Sequence, residues 1–77
     1  MGRRSVPQGL SPRALPRFFV SPAVIEARVL PDEVAHQVRH VLRLSPGDWI
    51  CLLDGAGGVF LAMLGEDMRI ADLQVSA

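Results

Sequence analysis

The chain has 77 residues and a formal net charge of zero, and its single cysteine excludes a fold held by disulfides. Its histidines and Cys51 lack the spacing of a structural zinc site, and its longest apolar run, residues 59–64, is too short to cross a bilayer. We therefore expect one small domain held by packing, with Cys51 as a small core residue rather than a reactive thiol.

The neutral total hides an uneven distribution of charge. Residues 1–43 contain seven arginines and three acidic residues, a net of +4, whereas residues 44–77 contain one arginine and five acidic residues, a net of −4. A basic first half predicts contact with a nucleic acid or another anionic surface. All eight cationic residues are arginines, whose planar guanidinium suits bidentate contacts with phosphate.

The first 16 residues differ in composition from the rest of the chain. They contain three arginines and three prolines, no acidic residue and no hydrophobic period. This composition predicts a disordered basic lead-in over residues 1–16. An organelle transit peptide and a basic RNA-binding arm remain alternatives, whereas the lack of an apolar segment disfavours a secretion signal.

Two short strands and one helix are predicted next. Residues 17–20 and 25–30 have the composition of strands. Pro31 suits the first turn of a helix, and the two acidic residues after it interact favourably with the helix dipole. The helix should cover residues 32–43 and end at Ser-Pro-Gly-Asp, residues 45–48.

Three further strands complete the predicted fold. Residues 49–53 and 59–64 are apolar on both faces, and residues 54–58 form a glycine-rich turn between them. The last strand, residues 68–75, alternates toward its end, with Ala71, Leu73 and Val75 on one side. Five strands and one helix predict a mostly β fold, a small and mainly antiparallel barrel or half-barrel with the helix packed across it.

The predicted helix has two contrasting faces. Its apolar side, expected to pack on the sheet, comprises Val34, Ala35, Val38, Val41 and Leu42. Its other side carries nitrogen-bearing side chains at i, i+3, i+4 and i+7, namely His36, Arg39, His40 and Arg43. Such a line can follow a phosphate backbone, and its planar groups can stack on unpaired bases. A solvated helix face is the alternative, with Asp32 pairing with His36.

Other motifs are weaker candidates. Glycines in residues 54–58 could cradle a phosphate, but a hairpin turn explains them better, because neither a Lys-Ser/Thr pair nor a helix follows. No catalytic Ser/His/Asp or Cys/His arrangement is recognisable. Trp49 and Phe60 are expected in the core. Of the adjacent Phe18 and Phe19, one ring should face inward and the other outward, where it could stack on a base.

Three segments, in this order and spacing, resemble one family. Arg-Phe-Phe-Val at 17–20, Ala-His-Gln-Val-Arg-His-Val-Leu-Arg-Leu-Ser-Pro-Gly-Asp at 35–48, and Leu-Asp-Gly-Ala-Gly-Gly at 53–58 followed by Phe-Leu-Ala are similar to motifs of RsmE-type 16S rRNA (uracil-N3) methyltransferases. The resemblance covers residues 17–76. His40 stands where the family often has arginine, and the lead-in is longer than usual.

This resemblance implies a PUA-like domain over residues 17–77 that holds 16S rRNA in the cytoplasm. In the family, a following domain of the SPOUT class binds S-adenosylmethionine, dimerises and methylates N3 of a uridine. The 77 residues contain none of that domain, so we expect this chain neither to bind the cofactor nor to methylate by itself. Its expected partners are 16S rRNA of the small ribosomal subunit and the catalytic domain.

The leading hypothesis is therefore a non-catalytic RNA-binding module. Arg17, Arg39 and Arg43 would be the main phosphate contacts, and His36 and His40 supporting donors. The alternative is a protein-interaction module that docks on the catalytic domain or on a second copy, because two strands apolar on both faces exceed what a core of this size needs. A complete small protein acting alone, such as an RNA chaperone, is a third possibility.

Overall fold

Eight short elements follow one another in the computed structural model, which describes residues 15–76. Most of the predicted lead-in over residues 1–16 thus lies outside the described residues. The elements are β1 (Arg17–Phe19), α1 (Pro22–Ala27), α2 (Asp32–His36), a π-helical segment (Gln37–Val41), β2 (Trp49–Leu53), β3 (Val59–Leu64), a 3₁₀ turn (Glu66–Met68) and β4 (Ile70–Val75).

The four strands form one sheet in the order β1-β2-β3-β4. β1 pairs with β2 in parallel, and the other two pairs are antiparallel. In this register Phe19 lies opposite Leu53, which in turn lies opposite Val59. These three residues therefore form a row at one end of the sheet, beside the turn that joins β2 to β3. The mostly β fold class is confirmed, with β1 and β4 at the two edges.

The β2–β3 hairpin forms as predicted, with both strands at the expected bounds. Gly55 and Gly57 adopt φ values of 78° and 95°, which glycine reaches without steric cost. The Asp54 carboxylate accepts hydrogen bonds from the backbone N–H of Ala56 at 2.8 Å and of Gly58 at 2.9 Å. These two bonds lower the pKa of Asp54 below its ordinary value. The Asp54 carboxylate therefore stabilises the turn through hydrogen bonds to backbone groups of the same turn.

We expect replacement of Asp54 by asparagine to destabilise the chain at neutral pH and to have less effect in acid. A lowered pKa in the folded state means that ionised Asp54 stabilises the fold above its unfolded pKa, and that this contribution is lost as the pH falls through the folded value. Urea unfolding of Asp54→Asn and of the unsubstituted chain between pH 7 and pH 2 measures how the difference in stability depends on pH. A difference in midpoint that stays constant down to the lowest pH would contradict the role of the ionised carboxylate.

The second predicted strand, over residues 25–30, is wrong. Residues 22–27 form α1, in which Ser21 precedes a proline at the first helical position. Ser21 and Pro22 therefore mark the start of a helix. The helix ends at Ala27, because the next residue, Arg28, has a left-handed φ of 58°. Of the predicted strand only Val29 pairs, in an isolated bridge with Arg69.

The long helix predicted over residues 32–43 is also corrected. α2 ends at His36, and the chain continues as the π-helical segment, closed by a hydrogen bond of 2.8 Å from Leu42 N–H to the Gln37 carbonyl. The wider turn changes the direction in which the following side chains project. Val41 and Leu42, predicted to pack on the sheet, are 65% and 40% exposed.

The core lies between the sheet and the two helices. Val34 and Val38 are buried as predicted. Ala35 is partly buried and packs against the core that they help to form. They join buried side chains of the sheet and its connections, namely Val20, Leu30, Ile50, Leu52, Ala62, Leu64 and Ile70. Within residues 15–76, no helix is long and apolar enough to span a membrane.

The last strand begins at Ile70, two residues later than predicted, and contains an irregularity. Met63 pairs with Asp72 but Leu64 pairs with Ile70, so one residue of β4 lies between two consecutive pairs. The predicted alternation is broken there, because Ala71 is exposed whereas Leu73 packs on the core.

Candidate nucleic-acid interface

Three of the four predicted helix residues lie together on one exposed surface. His36, Arg39 and His40 are all exposed, and they line a shallow hollow with Asp32 and Ala35. The imidazole rings of His36 and His40 are stacked at a slant, with centroids 4.8 Å apart. The hollow thus presents a guanidinium and two imidazoles to solvent, and we call these three residues the His-Arg surface.

Asp32 belongs to the same hollow, so the His-Arg surface has one acidic neighbour. Asp32 is the first residue of α2 and lies four residues before His36. Its carboxylate partly offsets the positive charge of the surface at that end. Arg39 lies on the next turn of the helical region, farther along the chain from this acid. Phosphate contact is therefore more favourable toward the Arg39 end of the surface.

Arg43 and Arg17 do not belong to that hollow. Arg43 is exposed but has a left-handed φ of 56°, so its backbone has already left the helical direction. The predicted line of four side chains on one helical face is thus correct for three and wrong for Arg43. Arg17 is exposed on β1, the edge strand of the sheet.

The adjacent phenylalanines of β1 separate as predicted. Phe18 packs against the core, whereas Phe19 is 76% exposed. Because side chains alternate along a strand, Phe19 projects to the same side as Arg17, which is two residues earlier. The outward aromatic ring and an arginine therefore share one side of the edge strand.

Phe19 borders two hollows. One lies between β1 and α2 and includes Phe18, Glu33, Val34 and Gln37. The sequence did not single out Glu33 or Gln37 as site residues, since their proximity to β1 depends on how α2 packs. The other hollow lies at the hairpin turn and is lined by Phe19, Leu53, Gly55, Gly57, Gly58 and Val59.

Cys51 is buried, with 1% of its surface exposed, and is a core residue as predicted. Burial raises the pKa of its thiol, and the nearby Arg17 guanidinium opposes this only in part. The described part of the chain, residues 15–76, has no group of three His, Cys, Asp or Glu side chains that could hold a metal ion.

A comparison with models of protein families assigns this domain to a family. The family model described as the RNA methyltransferase PUA domain matches residues 30–70, more than half of the chain. The chain belongs to this family. The matched region of the PUA domain includes α2, the π-helical segment, β2 and β3, and so contains the whole His-Arg surface. Arg17 and Phe19 precede it.

A solved structure shows the same fold. The PUA domain is similar to the crystal structure of a probable rRNA-methyltransferase from Porphyromonas gingivalis, with 33% sequence identity and a TM-score of 0.63. The match covers 82% of this chain and 26% of that protein, so the chain spans about a quarter of its length. A comparison with curated protein sequences gave no match.

Proposed function

We propose that this PUA domain binds ribosomal RNA through the His-Arg surface, assisted by Arg43 and Arg17, and that it does not itself catalyse a reaction. The observation that carries the proposal is the exposure of His36, Arg39 and His40 around one hollow, in a domain whose family is that of RNA methyltransferases. Contacts of these side chains with phosphates would position the RNA without reading its sequence.

The finer assignment follows from the motifs at residues 17–20, 35–48 and 53–58. We propose that the domain serves an RsmE-type enzyme of the cytoplasm, which methylates N3 of a uridine in 16S rRNA with S-adenosylmethionine. The similarity to the Porphyromonas gingivalis protein supports an rRNA methyltransferase as the parent. The cofactor and the methyl transfer would belong to another domain, and the task of this one would be to hold the RNA.

Salt dependence tests the proposed contacts. We expect Arg39→Ala and Arg43→Ala each to weaken binding to a 16S rRNA fragment and to reduce the slope of log K against log salt by ~1, because each removes one phosphate contact. An unrelated RNA of equal length should lose a similar factor, since phosphate contacts carry no sequence information. Arg69→Ala is the matched control, because Arg69 is exposed and lies next to β4.

Slopes unchanged from those of the unsubstituted chain would contradict the assignment of Arg39 and Arg43. A loss of the same size in Arg69→Ala would show that total charge, rather than the His-Arg surface, determines binding. Fluorescence anisotropy of labelled RNA at four or more salt concentrations gives the slopes directly.

A protein-docking role is the second candidate, and one observation favours it. Among residues 15–76, three large apolar side chains are mostly exposed to solvent, Phe19, Val41 and Val75, at 76%, 65% and 74%. Such residues are typical of surfaces that another protein covers. Under this hypothesis the purified chain self-associates in sedimentation experiments and RNA does not compete with the association. A monomer that binds RNA favours the first proposal.

A further inference from the structure

The hollow at the hairpin turn has a composition unlike that of the His-Arg surface. Its walls are the exposed ring of Phe19, the apolar side chains of Leu53 and Val59, and the backbone of the glycine turn. Its volume of 250 Å³ is below the range of about 300–1,000 Å³ that is typical of cofactor sites. The hollow therefore suits a single flat ring system better than a whole cofactor.

The register of the sheet builds this site. Phe19, Leu53 and Val59 are direct neighbours across three strands, so their side chains lie in one row on the same side of the sheet. Leu53 and Val59 are half-buried, whereas Phe19 is largely exposed. The row thus places a largely exposed phenyl ring beside two half-buried apolar side chains.

The glycine turn forms another wall of the hollow, where Gly55, Gly57 and Gly58 carry no side chain. A Cβ atom placed on Gly55 or Gly57 would meet no other atom within 4 Å, so the turn is open to solvent at these two positions. The two bonds that Asp54 accepts hold this turn in place. A flat group can therefore approach the backbone closely at a turn that is already ordered.

Arg17 provides the charge that selects the occupant. It lies two residues before Phe19 on the same side of β1, which places the two Cα atoms about 6.6 Å apart. An arginine and an exposed aromatic residue on the same side of one strand can together bind a nucleotide, the arginine through its phosphate and the ring through its base. The nearest acid of the turn, Asp54, has its carboxylate engaged by backbone N–H groups.

We propose that Phe19 is a stacking platform for one unpaired nucleobase of single-stranded RNA, with Arg17 holding the adjoining phosphate and the glycine turn forming the floor. This inference rests on the proposed RNA binding and adds a second site to it. Stacking requires a base that has left its duplex, so the site selects single-stranded over double-stranded RNA. The His-Arg surface, which contacts phosphates, makes no such distinction.

The test measures binding of a single-stranded RNA and of its duplex to Phe19→Ala. We expect the affinity for the single strand to fall about 5- to 150-fold, because loss of a stacking aromatic costs ~1–3 kcal/mol and 1.4 kcal/mol is tenfold. Duplex affinity and the salt slope should both stay unchanged. Val75→Ala is the matched control, since it removes an apolar side chain of similar exposure from the opposite edge strand.

Two further variants separate stacking from simple apolar contact. Phe19→Trp should retain binding, and its added indole fluorescence should be quenched by the RNA and recover when one nucleotide of the strand is made abasic. Phe19→Leu keeps an apolar side chain without a π face and should bind as weakly as Phe19→Ala. Full affinity in Phe19→Leu would overturn the inference.

The outcomes also distinguish this inference from the proposed function. If Phe19→Ala binds like the unsubstituted chain while Arg39→Ala has a reduced salt slope, the stacking site is wrong and RNA binding by the His-Arg surface stands. If the unsubstituted chain binds no RNA, the proposed function itself fails. If Phe19→Ala instead abolishes self-association and leaves RNA affinity intact, Phe19 is a protein contact and the stacking site is overturned.

Discussion

Replacing Leu52 by alanine should remove most of the stability of this protein. Leu52 has no exposed surface and lies at the centre of the core between the sheet and the helices. Leucine-to-alanine substitutions at such positions cost ~2–5 kcal/mol, because they remove buried methyl groups and leave a cavity. A single core in a chain of this length supplies only ~3–5 kcal/mol of stability. One substitution therefore removes most of it.

Urea unfolding measures this effect, and the chain carries its own probe. Trp49 is the only tryptophan and is half-buried at the start of β2, so its fluorescence should change on unfolding. Val75→Ala is the control, because truncation of a side chain that is 74% exposed should alter stability by no more than ~0.5 kcal/mol. Equal midpoints for Leu52→Ala and the unsubstituted chain would show that the core is assigned wrongly.

A large, salt-dependent effect on RNA binding is expected from reversing the charge of Arg39. Arg39→Glu changes two units of charge on the His-Arg surface. Each phosphate contact contributes about 0.9 to the salt slope, which is nearly tenfold in affinity at 0.1 M salt relative to 1 M. The substitution should therefore weaken binding by about 10- to 100-fold at 0.1 M salt, and much less at high salt.

Arg69→Glu controls for the change in total charge. Arg69 is exposed and does not line the hollow of the His-Arg surface. Both variants have the same net charge, so long-range attraction of RNA is reduced equally in both. A tenfold or greater difference between them would place the RNA at the His-Arg surface. Equal losses in the two variants would refute that location.

The two proposed sites differ in what they can recognise. The His-Arg surface offers charge, which any RNA satisfies, whereas the row at Phe19 offers a ring face to a base that has left its duplex. A third hollow, which Phe18 and Phe19 share with Glu33 and Gln37, adjoins the Phe19 row.

Local features of this protein were determined by the sequence itself. The bounds of β2 and β3, the glycine turn and the opposite orientations of Phe18 and Phe19 were all predicted correctly. The same holds for the grouping of His36, Arg39 and His40. These features follow from the alternation of side chains along a strand, the spacing of side chains on a helix and the chemistry of a short turn, all of which are visible in the sequence.

Only the tertiary structure decided the rest. Residues 24–29 contain three β-branched side chains, which favour a strand, yet residues 22–27 form α1 and Val29 makes a single bridge with Arg69. The π-helical segment likewise turns Val41 and Leu42 outward, which no period of 3.6 residues predicts. The physical reason is that both depend on which long-range partners are available, and a sequence pattern does not contain that information.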